Sequence, residues 1–393
     1  MHCLEAARQK INDNTLFCYH KTTVITKLRI AILGTRGIPN AYGGFEQVAA
    51  YLSKGLVEKG HHVTVYNPRS HLYKEAAWNN VNIIHCYDAG STGSIAQFAY
   101  DLACTLDARK RDFDVWLILG YTSSSVWGWL YPKKTVLISN MDGLEWKRSK
   151  YSGPVKRFLR FAEKLAVRNS DFLIADSVAI QSYLREKYST PSEYIAYGAE
   201  MYTEENEQVF AEYGVERYGY YLLIARMEPE NNVEMILDGF CKSNTDKKFL
   251  VVGNTNNSFG KYLVNKFKNR ANVIFAGAIY DPVKLYTLKL FCGLYFHGHS
   301  CGGTNPSLLE AMAAKALICA HDNPFNKAIL GADAYYFSSV DEIKERIAAI
   351  TYHGGENKMI ANNFQKIREQ YNWPMVISAY EQFIIRCYNA LHK

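Results

Sequence analysis

The residues best placed to do chemistry lie in FCGLYFHGHSCGGTNPSLLEAMAAKALICA, residues 291–320. The spacing predicts a buried strand, a glycine turn, a capped helix and a second buried strand. Gly302 and Gly303 lack a Cβ, so a ligand can come close to the backbone there. Thr304 leads into Asn305, a good N-cap residue, and Pro306 suits the first helical position. The uncapped N–H groups and the helix dipole then favour an anion in the turn. Glu310 follows one turn in, and its side chain leans back toward the same end. A carboxylate there would oppose an anion directly, so it is expected to accept hydrogen bonds from hydroxyl groups. Phosphate held by N–H groups and hydroxyls held by a carboxylate together point to a nucleotide-sugar site.

Two further loops carry similar chemistry. ARMEPENN, residues 225–232, runs from a strand into a helix. An Arg at a strand end is a natural diphosphate clamp, since its planar fork binds two oxygens, which nominates Arg226. GTRGIPNAYGGFE, residues 34–46, follows another strand. Gly43 and Gly44, just before a helix, suit close approach to a diphosphate. The loop is not the GxGxxG dinucleotide fingerprint, and the second strand ends at Asn67-Pro68 with no ribose-binding acid, which argues against NAD or FAD. His299, at a strand end, is a candidate substrate contact; His297 is a weaker one.

Strands are expected at 28–33, 62–67, 81–87, 113–119, 135–140 and 171–176, with helical segments between them. The pattern begins again after Gly198, with strands at 220–226, 249–254, 273–277, 294–298 and 334–337. Strand alternating with helix is the signature of a parallel, doubly wound α/β sheet. Two such units imply facing Rossmann-like domains with a cleft between them. The expected division is an N-terminal extension (1–27) without a core, a first domain (28–198), a second (199–370) and a terminal helix (371–393) that crosses back. Ligands in such sheets bind beyond the C-terminal strand ends, where every loop above falls.

Composition sets the outer bounds. The 393 residues are 48% hydrophobic and 21% charged, enough for two ordinary domains. Nine cysteines show no CxxC pair and read as small core residues in a reducing cytosol. No zinc signature is present, and no DxD pair stands in the loops above, so no metal or other cofactor is called for. Val115–Pro132 is uncharged but is split by Gly120 and a Thr/Ser cluster, so a strand and a second apolar element are expected rather than a membrane span. The net charge is +7, and residues 147–168 concentrate the excess, with eight Lys or Arg and one acid, Glu163. Phe158, Phe161, Ala162 and Leu165 recur at helical spacing there, so an amphipathic helix is expected. It is either a solvated basic face or a patch that meets anionic lipid, or a lipid-linked phosphate, at the inner membrane face. No recognition motif accompanies the charge, so nucleic acid is not an expected partner.

The motifs GGFE, ARMEPENN, FAGAIYDP and GGTNPSLLEAMAAK, in that order, resemble the family-4 retaining glycosyltransferases of GT-B fold, from Leu28 to the C-terminus. GTRGIPNAYGGFE with NMDGLEWKRSKY (140–151) resembles a bacterial subgroup that includes rhamnosyltransferases of capsule and cell-surface polysaccharide synthesis. The resemblance implies a hexosyltransferase that moves a sugar, with L-rhamnose the first candidate, from a nucleoside-diphosphate donor to a lipid-linked or polysaccharide acceptor, with retention. It implies donor binding by Gly43, Gly44, Arg226, Asn231, His299, Gly302, Gly303, Thr304, Asn305 and Glu310, the last matching the ribose contact. Arg36, Asp142 and Glu145 fall to the acceptor side, and Asp142 and Glu310 are the candidate catalytic carboxylates. Two departures stand out. The first Glu of the family's Glu-x7-Glu is Gly302 here, and the Lys expected five residues after the Arg is Asn231. These motivate a second reading, a sugar-nucleotide-binding scaffold subunit; a third is a nucleotide-sugar epimerase of the same architecture.

Overall fold

A computed structural model describes residues 27–40, 43–90, 93–141, 143–148 and 151–392. Most of the N-terminal extension, residues 1–26, lies outside the described residues, as does Asp142.

The chain forms two compact units. The first is built on β1 (Arg29–Leu33), β2 (His62–Pro68), β3 (Ala77–Trp78), β4 (Val81–Cys86), β5 (Val115–Ile118), β6 (Val136–Asn140), β7 (Phe172–Ala175) and β8 (Glu193–Tyr194). Their order is β3-β4-β2-β1-β5-β6-β7-β8, and every pairing is parallel except β3 with β4. The central strands β1, β5, β6 and β7 are short apolar runs buried on both faces, the pattern of a sheet covered by helices on each side. Helices α1 (Gly44–Glu58), α2 (Ser94–Ala108), α3 (Gly153–Asn169) and α4 (Val178–Tyr188) supply that cover.

The second unit contains β9 (Tyr220–Ile224), β10 (Lys248–Val252), β11 (Val273–Gly277), β12 (Leu294–His297), β13 (Ile318–His321) and β14 (Tyr335–Phe337), in the order β11-β10-β9-β12-β13-β14 and all parallel. Helices α5 (Val233–Lys242), α6 (Pro282–Leu290) and α7 (Pro306–Ala313) are those that bear on the site. An aromatic cluster of Tyr221, Phe240, Phe249, Phe296 and Phe337 forms much of its core.

Both sheets are the doubly wound α/β type expected. The chain leaves β1 toward β2 and β4 and later resumes on its other side at β5; it leaves β9 toward β10 and β11 and resumes at β12. Loops at these reversals diverge and leave a crevice beyond the strand ends. The reversals therefore fall after β1 and β5 in one unit and after β9 and β12 in the other.

Residues 147–152 group with the second unit rather than the first, and the C-terminal helix (Trp373–Leu391) groups with the first. That helix is fastened there by specific contacts. Trp373 stacks on Tyr51 at 4.3 Å, Glu381 pairs with Lys59 at 2.8 Å, and Asn140 donates to the Tyr380 hydroxyl at 3.0 Å. The uncharged stretch 115–132 is β5, a short helix (Tyr121–Ser124) and a 3₁₀ turn (Ser125–Leu130). Among the described residues no helix is long and apolar enough to cross a membrane.

Helix α3 is the helix expected from the basic segment. Its inward face is Leu159, Ala162, Glu163, Ala166 and Val167, while Phe158 and Phe161 are 36% and 53% exposed. The lone acid of the basic segment is thus the residue that turns inward. Glu163 accepts hydrogen bonds from Trp146 Nε1, Tyr183, Tyr188 and Lys187 at 2.6–3.1 Å. Four donors make a buried carboxylate tolerable. The hub ties α3 and α4 to the 3₁₀ turn Glu145–Lys147, and the Arg160 guanidinium lies 4.5 Å above the Trp146 ring.

Candidate functional site

In the second unit the loops after β9 and β12 are laced together. Adjacent parallel strands bring Arg226–Asn232 beside Gly298–Asn305. Ser300 donates through its backbone N–H and its hydroxyl to the Glu230 carbonyl, at 3.0 and 2.8 Å. Asn232, in the left-handed region at φ 51°, donates to the Gly298 carbonyl at 2.8 Å. Approach at Gly298 is so close that a Cβ there would stand 2.0 Å from the Asn231 carbonyl oxygen. Gly253, after β10, is similarly constrained, because its Cβ would stand 2.0 Å from the Ala225 oxygen. Three neighbouring strand ends therefore meet with little intervening side chain, leaving backbone groups to face the crevice.

Arg226 is exposed at the mouth of this loop. Asn231, which stands where the family carries a Lys, is buried and donates its amide to the Arg226 carbonyl at 2.8 Å. It closes the loop instead of presenting a cation. A second guanidinium comes from Arg148, whose Nη1 lies 3.7 Å from Glu230 Oε1. Tyr295, His297 and His299 project from one face of β12 and its extension. The two imidazoles stack at 4.5 Å and 17°. His297 is 1% exposed and neither ring nitrogen has a hydrogen-bond partner among the described residues, so it is a packing residue. His299 reaches the surface in part, with its Nδ1 buried and without a hydrogen-bond partner among the described residues. Burial, then the Arg226 and Arg148 guanidiniums, push its pKa down to about 3. At neutral pH it is an uncharged ring. Its backbone carbonyl is held by the Asn323 and Asn326 amides at 3.0 and 3.1 Å.

Gly302, at φ 128°, has open space where a Cβ would be, and Gly303 and Thr304 complete the turn. The Asn305 side chain accepts from the Ser307 N–H at 3.0 Å and Pro306 occupies N1, as its sequence predicts. Asn305 therefore binds its own helix end. Glu310 on α7 keeps its side chain 30% exposed, and its Oε2 is 2.6 Å from Lys289 Nζ at the end of α6.

In the first unit Arg36 and Gly43 lie on the loop after β1, where Arg36 is exposed, and Gly44 opens α1. Gly34 reaches φ 78°, and its Cβ would stand 2.6 Å from the Gly120 backbone after β5. Asn67, at the end of β2, holds this loop by accepting from Ile38 N–H at 3.0 Å and donating to Ile38 O at 2.7 Å. Glu46 folds back to accept from Arg36 N–H at 2.8 Å. Glu145 is half-buried in the loop after β6, two strands away.

Sequence reasoning passed over Arg148, Lys289, Asn67, Asn323 and Asn326. Asn67, at a strand end, and Asn323, just before a helix, left a faint trace, since Asn commonly caps or closes a turn at such places.

Residues 205–367 match the family model of glycosyl transferases group 1, and residues 27–200 match a domain of unknown function, DUF1972. No curated protein sequence matches the chain. Sucrose-phosphate synthase from Thermosynechococcus elongatus superposes with a TM-score of 0.76 at 15% identity, over 93% of this chain and 100% of that one. HepE from Anabaena in complex with UDP-glucose gives 0.68 at 15% identity, over 91% and 98%. The catalytic domain of starch synthase IV from Arabidopsis thaliana, bound to ADP and acarbose, gives 0.69 at 12%, over 93% and 100%. The chain thus has the GT-B fold, and its second unit matches the glycosyl transferases group 1.

Proposed function

We propose that this enzyme is a retaining, metal-independent hexosyltransferase that moves a sugar from a nucleoside-diphosphate donor to a lipid-linked or polysaccharide acceptor. L-Rhamnose from dTDP-rhamnose is the first candidate donor, and capsule or other cell-surface polysaccharide synthesis in a bacterium the expected setting. The observation that carries the reading is the interlocked pair of loops after β9 and β12. They place Arg226 and the N-terminus of α7 at the reversal point of one sheet. Arg226 and the amides of that turn stabilise the charge that develops on the leaving diphosphate. Glu310 takes hydroxyls of the nucleoside, and neutral His299 can accept or donate one hydrogen bond at the sugar. Gly43 and Gly44 serve the donor; Arg36, Asp142 and Glu145 serve the acceptor, with Asp142 positioning or deprotonating its hydroxyl.

Calorimetric titration with dTDP-rhamnose, UDP-glucose and GDP-mannose tests the site. One donor is expected to bind selectively. Arg226→Ala and Glu310→Ala should each weaken it by about 10- to 100-fold, the size of a lost charge-assisted hydrogen bond. No binding by wild type to any donor sinks the reading and favours a scaffold role. With a donor in hand, activity after EDTA treatment and the anomeric configuration of the product check metal independence and retention.

Peripheral membrane contact through residues 147–168 is part of the proposal. Val155, Phe158 and Phe161 are exposed on α3 beside exposed Arg157, Arg160, Lys164 and Arg168. Apolar rings flanked by cations suit an anionic bilayer surface. The protein should co-sediment with phosphatidylglycerol vesicles and not with phosphatidylcholine vesicles, and Phe161→Ser with Lys164→Glu should release it. Equal sedimentation with both lipids, or none with either, would rule the contact out.

A further inference from the structure

Lys289 sits at the end of α6 with its side chain 4% exposed, whereas the Glu310 side chain it meets is 30% exposed. A lysine this deeply buried is rare unless paired, and the ammonium here lies 2.6 Å from the Glu310 carboxylate. The cation is sealed beneath the carboxylate, so a ligand arriving at the surface meets Glu310 and not Lys289. Glu310 stands one turn into α7, whose N-terminus is the proposed diphosphate site. A bare carboxylate at that place would repel the diphosphate that the helix end attracts. The buried ammonium cancels that charge and fixes the orientation of the carboxylate.

We infer that Lys289 is a positioning residue for donor binding, acting through Glu310 as a sealed counter-ion that lets a carboxylate take nucleoside hydroxyls beside a diphosphate. The inference rests on the proposed donor site. It differs from the roles implied by the family motifs, because Lys289 lies outside all of them and acts only through Glu310.

The test is a double-variant cycle read by calorimetry with UDP, dTDP, ADP and GDP, followed by the nucleoside of whichever binds best. Lys289→Met is expected to weaken the nucleoside diphosphate tenfold or more and the bare nucleoside by much less. In the Glu310→Gln background, where there is no charge to cancel, Lys289→Met should cost nothing further. A residue that merely ties α6 to α7 would instead weaken both ligands alike and in both backgrounds. That result, or wild-type affinity in Lys289→Met, overturns the inference while leaving the donor site standing. Absence of binding by wild type to all four diphosphates overturns the donor site and the inference together. Melting curves accompany each variant. Should Lys289→Met fail to fold, Lys289→Gln carries the same comparison, since Gln retains a polar group for the carboxylate and removes the charge.

Discussion

Gly298→Ala is expected to abolish nucleotide binding and to lower the melting temperature of the second unit by several degrees. The added methyl would stand 2.0 Å from the Asn231 carbonyl oxygen and 2.8 Å from Ile236 Cδ1. The first contact is with backbone, which cannot swing aside as a side chain can. Relief requires the loops after β9 and β12 to separate, breaking the Asn232 bond to Gly298 and the Ser300 bonds to Glu230. Overpacking of this kind costs about 1–3 kcal/mol, and each kcal/mol lowers the melting temperature by about 2–4 °C in a unit of this size. The loss of function should exceed the loss of stability, because a displacement on the order of 1 Å is enough to cost about 100-fold where groups must be positioned. Calorimetric titration with nucleotide and differential scanning calorimetry of the same sample check it. A Gly298→Ala protein that binds nucleotide like wild type would show that the close approach is not needed by the site.

Glu163→Ala should be the most destabilising single change in the basic segment, by about 2–4 kcal/mol. Four donors converge on this carboxylate, whose side chain is 1% exposed. Removal of a buried ion-pair partner can cost about 3–5 kcal/mol. The figure here is discounted, because the Lys187 side chain is 37% exposed and can turn to water. The Trp146 indole and the two tyrosine hydroxyls cannot all do so. Glu163→Gln keeps an acceptor and should lose about half as much. Changing Arg157 or Lys164, exposed cations of the same helix outside the hub, should move stability by less than about 0.5 kcal/mol. Urea unfolding of the full chain distinguishes these outcomes. Equal midpoints for Glu163→Ala and Lys164→Ala would mean the hub contributes nothing.

These two residues also mark where the sequence was readable and where it was not. The strands that carry the site were legible because each is a short apolar run closed by Gly, Asn or Arg, and the two-residue edges β3 and β8 were not, being too short to show any pattern. The cap at Asn305 was legible because capping is local: the Asn side chain reaches an N–H two residues on, and Pro306 fixes the first turn. Glu163 was visible only as one acid among eight bases, and the helical spacing of Phe158, Phe161 and Ala162 did not say that α3 buries Ala162 and exposes the two rings. Helical spacing permits more than one buried stripe, and the donors that select Glu163's stripe come from a different helix and a 3₁₀ turn.

The order of apolar runs, glycines and caps along the chain determined two parallel sheets and placed Arg226 and Gly302–Asn305 at strand ends, with Glu310 one turn into the helix that follows, because those signals act over a few residues. Strand order is a long-range matter. Only the pairing of β9 with β12 brings Arg226 beside His299, sets Gly298 against Asn231, and leaves Asn231 to close a loop instead of offering a cation. Lys289 and Glu310 are 21 positions apart and on different helices, so no periodicity links them. Their meeting, and the burial that makes a charge on either one costly without the other, exist only once α6 and α7 are packed on the sheet.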